Sequence, residues 1–441
     1  MKKVIAMLLI LLTILETGCG FTKAKNDGEE VTEAKEETKV EEKTEEKPEV
    51  EEDQDGEEVV LPALDMEKSV EAKCKPYVLE NSVTSKGELP VFSPTMTSPF
   101  QIDLRCADLS NFDLSDKTTE LLNADFDTKT VWPEKLPEDF EPENIMELGR
   151  NPGLGIRNLQ GEGITGEGVA IGIIDGPLLG DHIEYKDNLK YYEEITGPFD
   201  QAEPHGAAVA SIAVGQDVGV APGADLYYIA ADPGVYVDGE LKTDFSYMAA
   251  AIDRFVEINR NLPQEKRIRV ISISSGWDKK DKGYKTIMEA VKNANEEGIF
   301  VISSSLEQTN KLEFGGLGRD PMSDPDDVSV YRPGRFMIDQ FANFDIVQKN
   351  KILFAPMDCR TTASQAGPEE YVFYSTNGWS WVIPYLTGTY ALACQVNPDI
   401  TYEEFWKAAL ETADEVAYDY NGREYTIPKV LSPEKLMEEI K

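Results

Sequence analysis

The stretch from Gly168 to Ala230 constrains this chain more than any other. Val169 to Ile174 is an almost unbroken apolar run that stops abruptly at Asp175. Such a run, with no polar alternation, fits a strand buried on both faces of a parallel sheet. Asp175 then stands at the carboxyl edge of that strand, where open α/β sheets build their sites. From Pro204 to Ala213, small and aliphatic residues follow His205 at helical spacing, so an imidazole at the start of a helix faces the same edge. The turn Gly219-Val-Ala-Pro-Gly223 introduces a second strand, Asp225 to Ala230.

Beyond Ala230 the pattern keeps alternating. A helix is expected over 245–259, a strand over 269–274, a helix over 286–297, a strand over 299–303 and a short strand over 351–356. This predicts an α/β domain with a doubly wound, mostly parallel sheet flanked by helices. A leading helix is expected over 145–160. The interval 306–350 shows no period and many Gly, Asp and Pro residues, and reads as a surface excursion.

Three motifs together resemble the subtilisin-like serine peptidases, or subtilases: Gly166-Glu-Gly-Val-Ala-Ile-Gly-Ile-Ile-Asp175, His205-Gly-Ala-Ala-Val-Ala210 and Gly219-Val-Ala-Pro-Gly-Ala-Asp-Leu226. His182, seven residues after Asp175, matches a histidine the family carries outside its catalytic set. Asn377-Gly-Trp-Ser380, followed by Pro384 and Gly388, resembles the family's nucleophile segment, in which Gly-Thr-Ser opens a helix. By itself a serine before a helix is usually an N-cap. The resemblance instead implies a catalytic Asp175, His205 and Ser380, in the chain order of subtilisin, which also appears among general catalytic motifs. Serine needs a base to become nucleophilic, and an imidazole oriented by a carboxylate is that base.

The chain departs from the family at three places. Trp379 replaces a threonine beside the nucleophile, and Trp381 flanks it on the other side. Glu307 falls where the family carries an asparagine that donates to the oxyanion; loss of such a donor costs about 10²–10³ in turnover. The resemblance also implies that Ser274, Ser275 and Gly276 bind the substrate backbone as an added strand. A simple strand exit would explain the same residues. No cofactor is required. Subtilases often bind calcium, and the many carboxylates would allow a structural ion, although no ligand loop is identifiable.

The chain has 441 residues, a net charge of -39 and two histidines. That charge opposes nucleic-acid binding, and two histidines leave no nitrogen-rich zinc site. Met1-Lys-Lys followed by apolar residues to Leu15 reads as a secretion signal. Thr17-Gly-Cys19 resembles a bacterial lipoprotein cleavage box, with Cys19 as the lipid attachment, although Glu16 departs from it; an ordinary cleaved signal or a short anchor is the alternative. Residues 20–60, rich in Glu, Lys and Thr, are expected to form a disordered acidic tether. The remaining cysteines, 74, 106, 359 and 394, allow either two disulfides or buried free thiols.

Residues 61–143 form an N-terminal extension. Within it, five-residue units centred on Leu104, Leu109 and Leu114 resemble pentapeptide repeats and predict either a β-rich stub or an ordinary turn-rich segment. The catalytic domain is expected over 144–441. The whole reads as an exported serine endopeptidase acting on polypeptides, anchored by lipid at the outer face of the cytoplasmic membrane. Its rival is a subtilase-fold lipoprotein that binds peptides or a cell-surface partner without turnover.

Overall fold

The computed structural model describes residue 56 and residues 59–66, 72–96, 99–237, 240–343 and 349–441. The signal, Cys19 and nearly all of the acidic tether lie outside the described residues.

Ala170–Asp175 is the centre of a five-stranded, all-parallel sheet in the order Leu189–Glu194, Asp225–Ala230, Ala170–Asp175, Ile268–Ile273, Phe300–Ser303. All six residues of the central strand are buried, because both faces of the sheet are covered. Ile171 and Ile173 pack with the helices Pro204–Val214 and Val382–Val396, while Ala170 and Ile174 pack with Ser246–Asn261 and Tyr284–Glu296. This is the doubly wound arrangement expected from the unbroken apolar run. Truncating a fully buried isoleucine such as Ile171 to alanine would cost about 2–5 kcal/mol.

A second sheet runs Arg332–Pro333, Glu313–Gly318, Ile352–Pro356, Arg423–Val430, Asp414–Tyr420. Glu313–Gly318 lies inside the interval read as a surface excursion, yet it is a core strand paired in parallel with Ile352–Pro356. Its glycines hid it. Gly315 and Gly316 have no side chains because the Phe354 ring and the Met357 sulfur occupy that space, so the strand carries no apolar period to read. The helix expected over 145–160 is also divided, into Pro142–Arg150 and Ile156–Gly161. Pro152 and the left-handed residues Gly153, Leu154 and Gly155 break it.

The N-terminal extension is built into the peptidase core. Ala124–Asp127 pairs with Ile102–Asp103 on one side and antiparallel with Tyr371–Tyr374 on the other, and Tyr371–Tyr374 pairs with Arg360–Ala363. Residues on both sides of the expected boundary near 144 therefore share one sheet. Leu104, Leu109 and Leu114 are buried, and their backbone N–H groups donate to the carbonyls of Asp125, Val131 and Lys135 at 2.7, 2.8 and 3.0 Å. The four cysteines in the described residues are free thiols. Burial pushes Cys74 and Cys394 up to about 11 and Cys106 and Cys359 up to about 12, so all four are protonated and unreactive at neutral pH.

Candidate active site

Asp175 ends the central strand, and the backbone N–H of Gly176 donates to its Oδ1 at 2.8 Å. His205 opens the helix Pro204–Val214. The glycine after it lets that helix approach the strand end. A Cβ at Gly206 would collide with the Tyr228 hydroxyl and lie 2.8 Å from the Gly176 carbonyl, and Tyr228 Oη donates to that carbonyl at 2.5 Å. The close fit brings His205 Nδ1 to 2.8 and 3.0 Å from the two carboxylate oxygens of Asp175. Nδ1–H donates to the carboxylate, which leaves Nε2 as the acceptor of the neutral ring.

Ser380 lies in the tight turn Trp379–Trp381 ahead of the helix Val382–Val396. Gly388 lets that helix lie against Val220, whose Cβ would be 2.6 Å from a Cβ placed there. Two buried carboxylates hold the loop before Ser380. Asp125 Oδ1 accepts from Ser375 N at 2.7 Å, and Asp358 Oδ1 accepts from Asn377 N at 2.8 Å. Ser380 Oγ donates to the Ser274 carbonyl at 3.3 Å, and Ser274 Oγ donates to the Ser380 carbonyl at 2.9 Å. Asp175, His205, Ser380, Ser274, Ser275 and Asn377 all line one cavity of about 110 Å³.

The strand-edge carboxylate, the histidine bonded to it and the helix-start serine thus meet in one cleft, as the three motifs imply. The sequence profile described as the subtilase family, peptidase S8, matches residues 166–426, more than half of the chain. The chain belongs to the subtilase family. Members of that family are serine peptidases acting on polypeptides. Similar solved structures include the prenylagaramide maturation protease PagA, with 17% identity over 65% of this chain and 98% of that one at a TM-score of 0.45. Another is the PatG macrocyclase in complex with peptide, with 15% identity over 66% and 96% at a TM-score of 0.46.

The departures of this subtilase from its family look different in space. Trp379 turns away from the cleft, meeting Phe314 and Phe336 edge-on at 5.5 and 5.9 Å. Trp381 lines the cleft and meets the His205 ring edge-on at 5.5 Å. Glu307 sits in the first turn of the short helix Leu306–Asn310, exposed, and the cavity wall does not include it. Ser274 and Ser275 line the cavity, but Gly276 packs against the next strand's exit, where a Cβ would lie 3.0 Å from that of Ser304. His182 is fully buried, with Nε2–H donating to the Glu370 carbonyl at 2.9 Å while Nδ1 accepts from Glu184 N at 3.2 Å. Burial lowers its pKa, so it remains a neutral packing residue.

Glu203 and Asp232 also line the cavity, and neither was singled out from the sequence. Burial, reinforced by Asp232 and Asp175, pushes Glu203 up to about 7; burial likewise raises Asp232. For His205, burial disfavours the charged ring, but Asp175, backed by Glu203 and Asp232, outweighs it and raises the pKa. The signal for Asp232 was legible in principle, since it follows Ala230 at the same sheet edge as Asp175. Among the described residues, no group of three or more His, Cys, Asp or Glu side chains is placed to hold a metal ion.

Proposed function

We propose that this subtilase is an endopeptidase that cleaves polypeptides through Ser380, His205 and Asp175. The observation that carries the proposal is the 2.8 Å contact between His205 Nδ1 and Asp175 in the same cavity as Ser380. Nε2, the ring nitrogen that Asp175 leaves free, takes the Ser380 proton as Oγ attacks the peptide carbonyl. The imidazolium returns that proton to the leaving amine as the C–N bond breaks. Water, activated by the same nitrogen, then cleaves the acyl-enzyme and restores Ser380. Asp175 holds the ring tautomer and stabilises the imidazolium throughout. Oxyanion stabilisation is assigned to the backbone N–H of Ser380 and to the amide of Asn377, a residue of the cavity wall whose Nδ2 also donates to the Met357 carbonyl at 3.4 Å, in place of the family asparagine. The enzyme is read as exported and tethered through a lipid on Cys19, with Glu- and Lys-rich residues 20–60 as the spacer.

A fluorophosphonate probe, located by mass spectrometry, tests the assignment. It should modify Ser380 in the folded protein and nothing after heat unfolding, and Ser380→Ala should lose at least about 10⁴-fold of peptide turnover. A second reading, a peptide-binding lipoprotein without turnover, is favoured by the Ser380 hydroxyl donating to Ser274 instead of the imidazole. It predicts a folded protein that binds peptides yet resists the probe.

A further inference from the structure

One wall of the catalytic cavity comes from outside the region matched by the family profile. Pro99 and Phe100, both in the N-terminal extension, line it together with His205, Ser380 and Trp381. The Phe100 ring is held from behind. The Arg105 guanidinium lies 5.0 Å from its centroid, and Tyr374 meets it edge-on at 6.0 Å. Arg105 is clasped by both carboxylate oxygens of Asp103 at 2.8 and 2.7 Å and donates to Tyr374 Oη at 3.3 Å. Asn81 Nδ2 ties the same turn down through the carbonyls of Asp103 and Arg105, at 2.9 and 2.8 Å. Asp103 in turn pairs with Asp125, whose carboxylate holds Ser375 ahead of the nucleophile. The ring and the nucleophile loop therefore hang from one frame.

The backbone at Phe100 adds an independent sign. Its φ is 59°, in the left-handed region where glycine is at ease and an aromatic residue is an outlier. Such strain persists where the side chain has a task that the surroundings enforce. The cleft that the ring bounds is open to solvent, with about 110 Å³ between the ring, His205, Ser380 and Trp381. An aromatic ring fixed at this wall narrows the space left for a substrate side chain beside the reacting groups.

We propose that Phe100 is a specificity-determining residue of the cleft, restricting the substrate side chain beside His205 and Ser380 to small residues such as Ala, Ser or Val. This rests on the assignment of Ser380 as the nucleophile. A fixed wall differs from a removable plug, and the frame shared by Phe100 and the Ser380 loop favours the wall. Removing a plug would raise the turnover of every peptide alike; removing a wall changes the ranking among them.

The test is a set of host peptides in which Ala, Leu or Phe is scanned through each position. The protein and its Phe100→Gly and Phe100→Leu variants are compared for kcat/KM, with thermal melts to verify folding. Phe100→Gly suits the left-handed backbone and so should fold. The same peptides are titrated by fluorescence anisotropy onto Ser380→Ala and Ser380→Ala/Phe100→Gly, a readout that needs no turnover. At one peptide position, Phe100→Gly should raise the Phe-to-Ala preference by about tenfold or more, with Phe100→Leu between. An unchanged preference in both readouts, or a uniform change for all peptides, would overturn the proposal. If the parent binds peptides but cleaves none, the endopeptidase assignment fails, and the binding preference still decides the role of Phe100.

Discussion

His205 and Ser380 reach the same cavity by different physical means. His205 is placed by shape: Gly206 and a run of fully buried small residues press its helix against the strand that ends in Asp175. Ser380 is placed by polar straps, namely Asp125 on Ser375, Asp358 on Asn377 and Ser274 on Ser380 itself. Close packing is insensitive to pH, whereas buried carboxylates are not. Burial pushes Asp125 up to about 7 and Asp358 up to about 6. The packing that positions His205 should therefore tolerate changes of pH that the straps on the Ser380 loop feel.

Filling the space at Gly206 is the severest way to break this contrast. Gly206→Val must move the helix start away from Tyr228 and Gly176, and a displacement of even 1 Å costs about 10² in turnover, alongside about 1–3 kcal/mol of overpacking strain. Peptide kinetics and thermal melts measure both. Next in size is Asn377→Ala. If the amide serves the oxyanion, kcat should fall on the order of 10², while peptide binding to the Ser380→Ala background should be little altered.

The straps themselves are tested by pH. Asp125 has a folded pKa above its unfolded one, so its contribution to stability is complete below about pH 4 and is lost as pH rises through about 7. Asp125→Asn cannot ionise and should flatten this dependence, shrinking the stability difference between pH 5 and 8 by about 2–3 kcal/mol in denaturant melts. An unchanged slope would show that Asp125 is not ionising in the fold. Smaller still is the effect of Glu203 on the base. His205 must be neutral to accept a proton, and its raised pKa places the acid limb of kcat/KM above the ordinary histidine range. Glu203→Gln removes a charge that favours the imidazolium, so the limb should move to lower pH. Glu307→Asn should change least, within about threefold, since that side chain is exposed outside the cavity; a gain near the 10² of an oxyanion donor would place it back in the site.

Much of the shape-determined half was legible in the sequence. Asp175, the histidine helix and the parallel strands announced themselves because an apolar run and a 3.6-residue period are local patterns. The Ser380 motif was legible too, but its surroundings were not. Asp125 lies 250 residues from Ser375, which it straps, Phe100 lies farther still from Ser380, and nothing local marks an aspartate as a strap or a phenylalanine as a cavity wall. The direction of Glu307 was not legible, because equal spacing after a strand does not guarantee equal direction: the chain turns into a short helix at Leu306, where Glu307 is exposed and outside the cavity wall. The hairpin Asp414–Tyr420 to Arg423–Val430, joined at the left-handed pair Asn421-Gly422, carries an Asn-Gly signal typical of such turns.

The strand Ala124–Asp127 has a consequence for the order in which the molecule can assemble. Its partner Tyr371–Tyr374 is made last among the elements of that sheet, so during synthesis the extension waits with an unpaired edge until most of the chain has emerged. Contacts of such sequence separation close late and slowly. The loop that presents Ser380 gains its Asp125 strap only at that closing step. A chain interrupted before residue 371 would hold Asp175 and His205 but no nucleophile, and a complete one gains the Asp125 strap on its Ser380 loop only when strands some 250 residues apart have met.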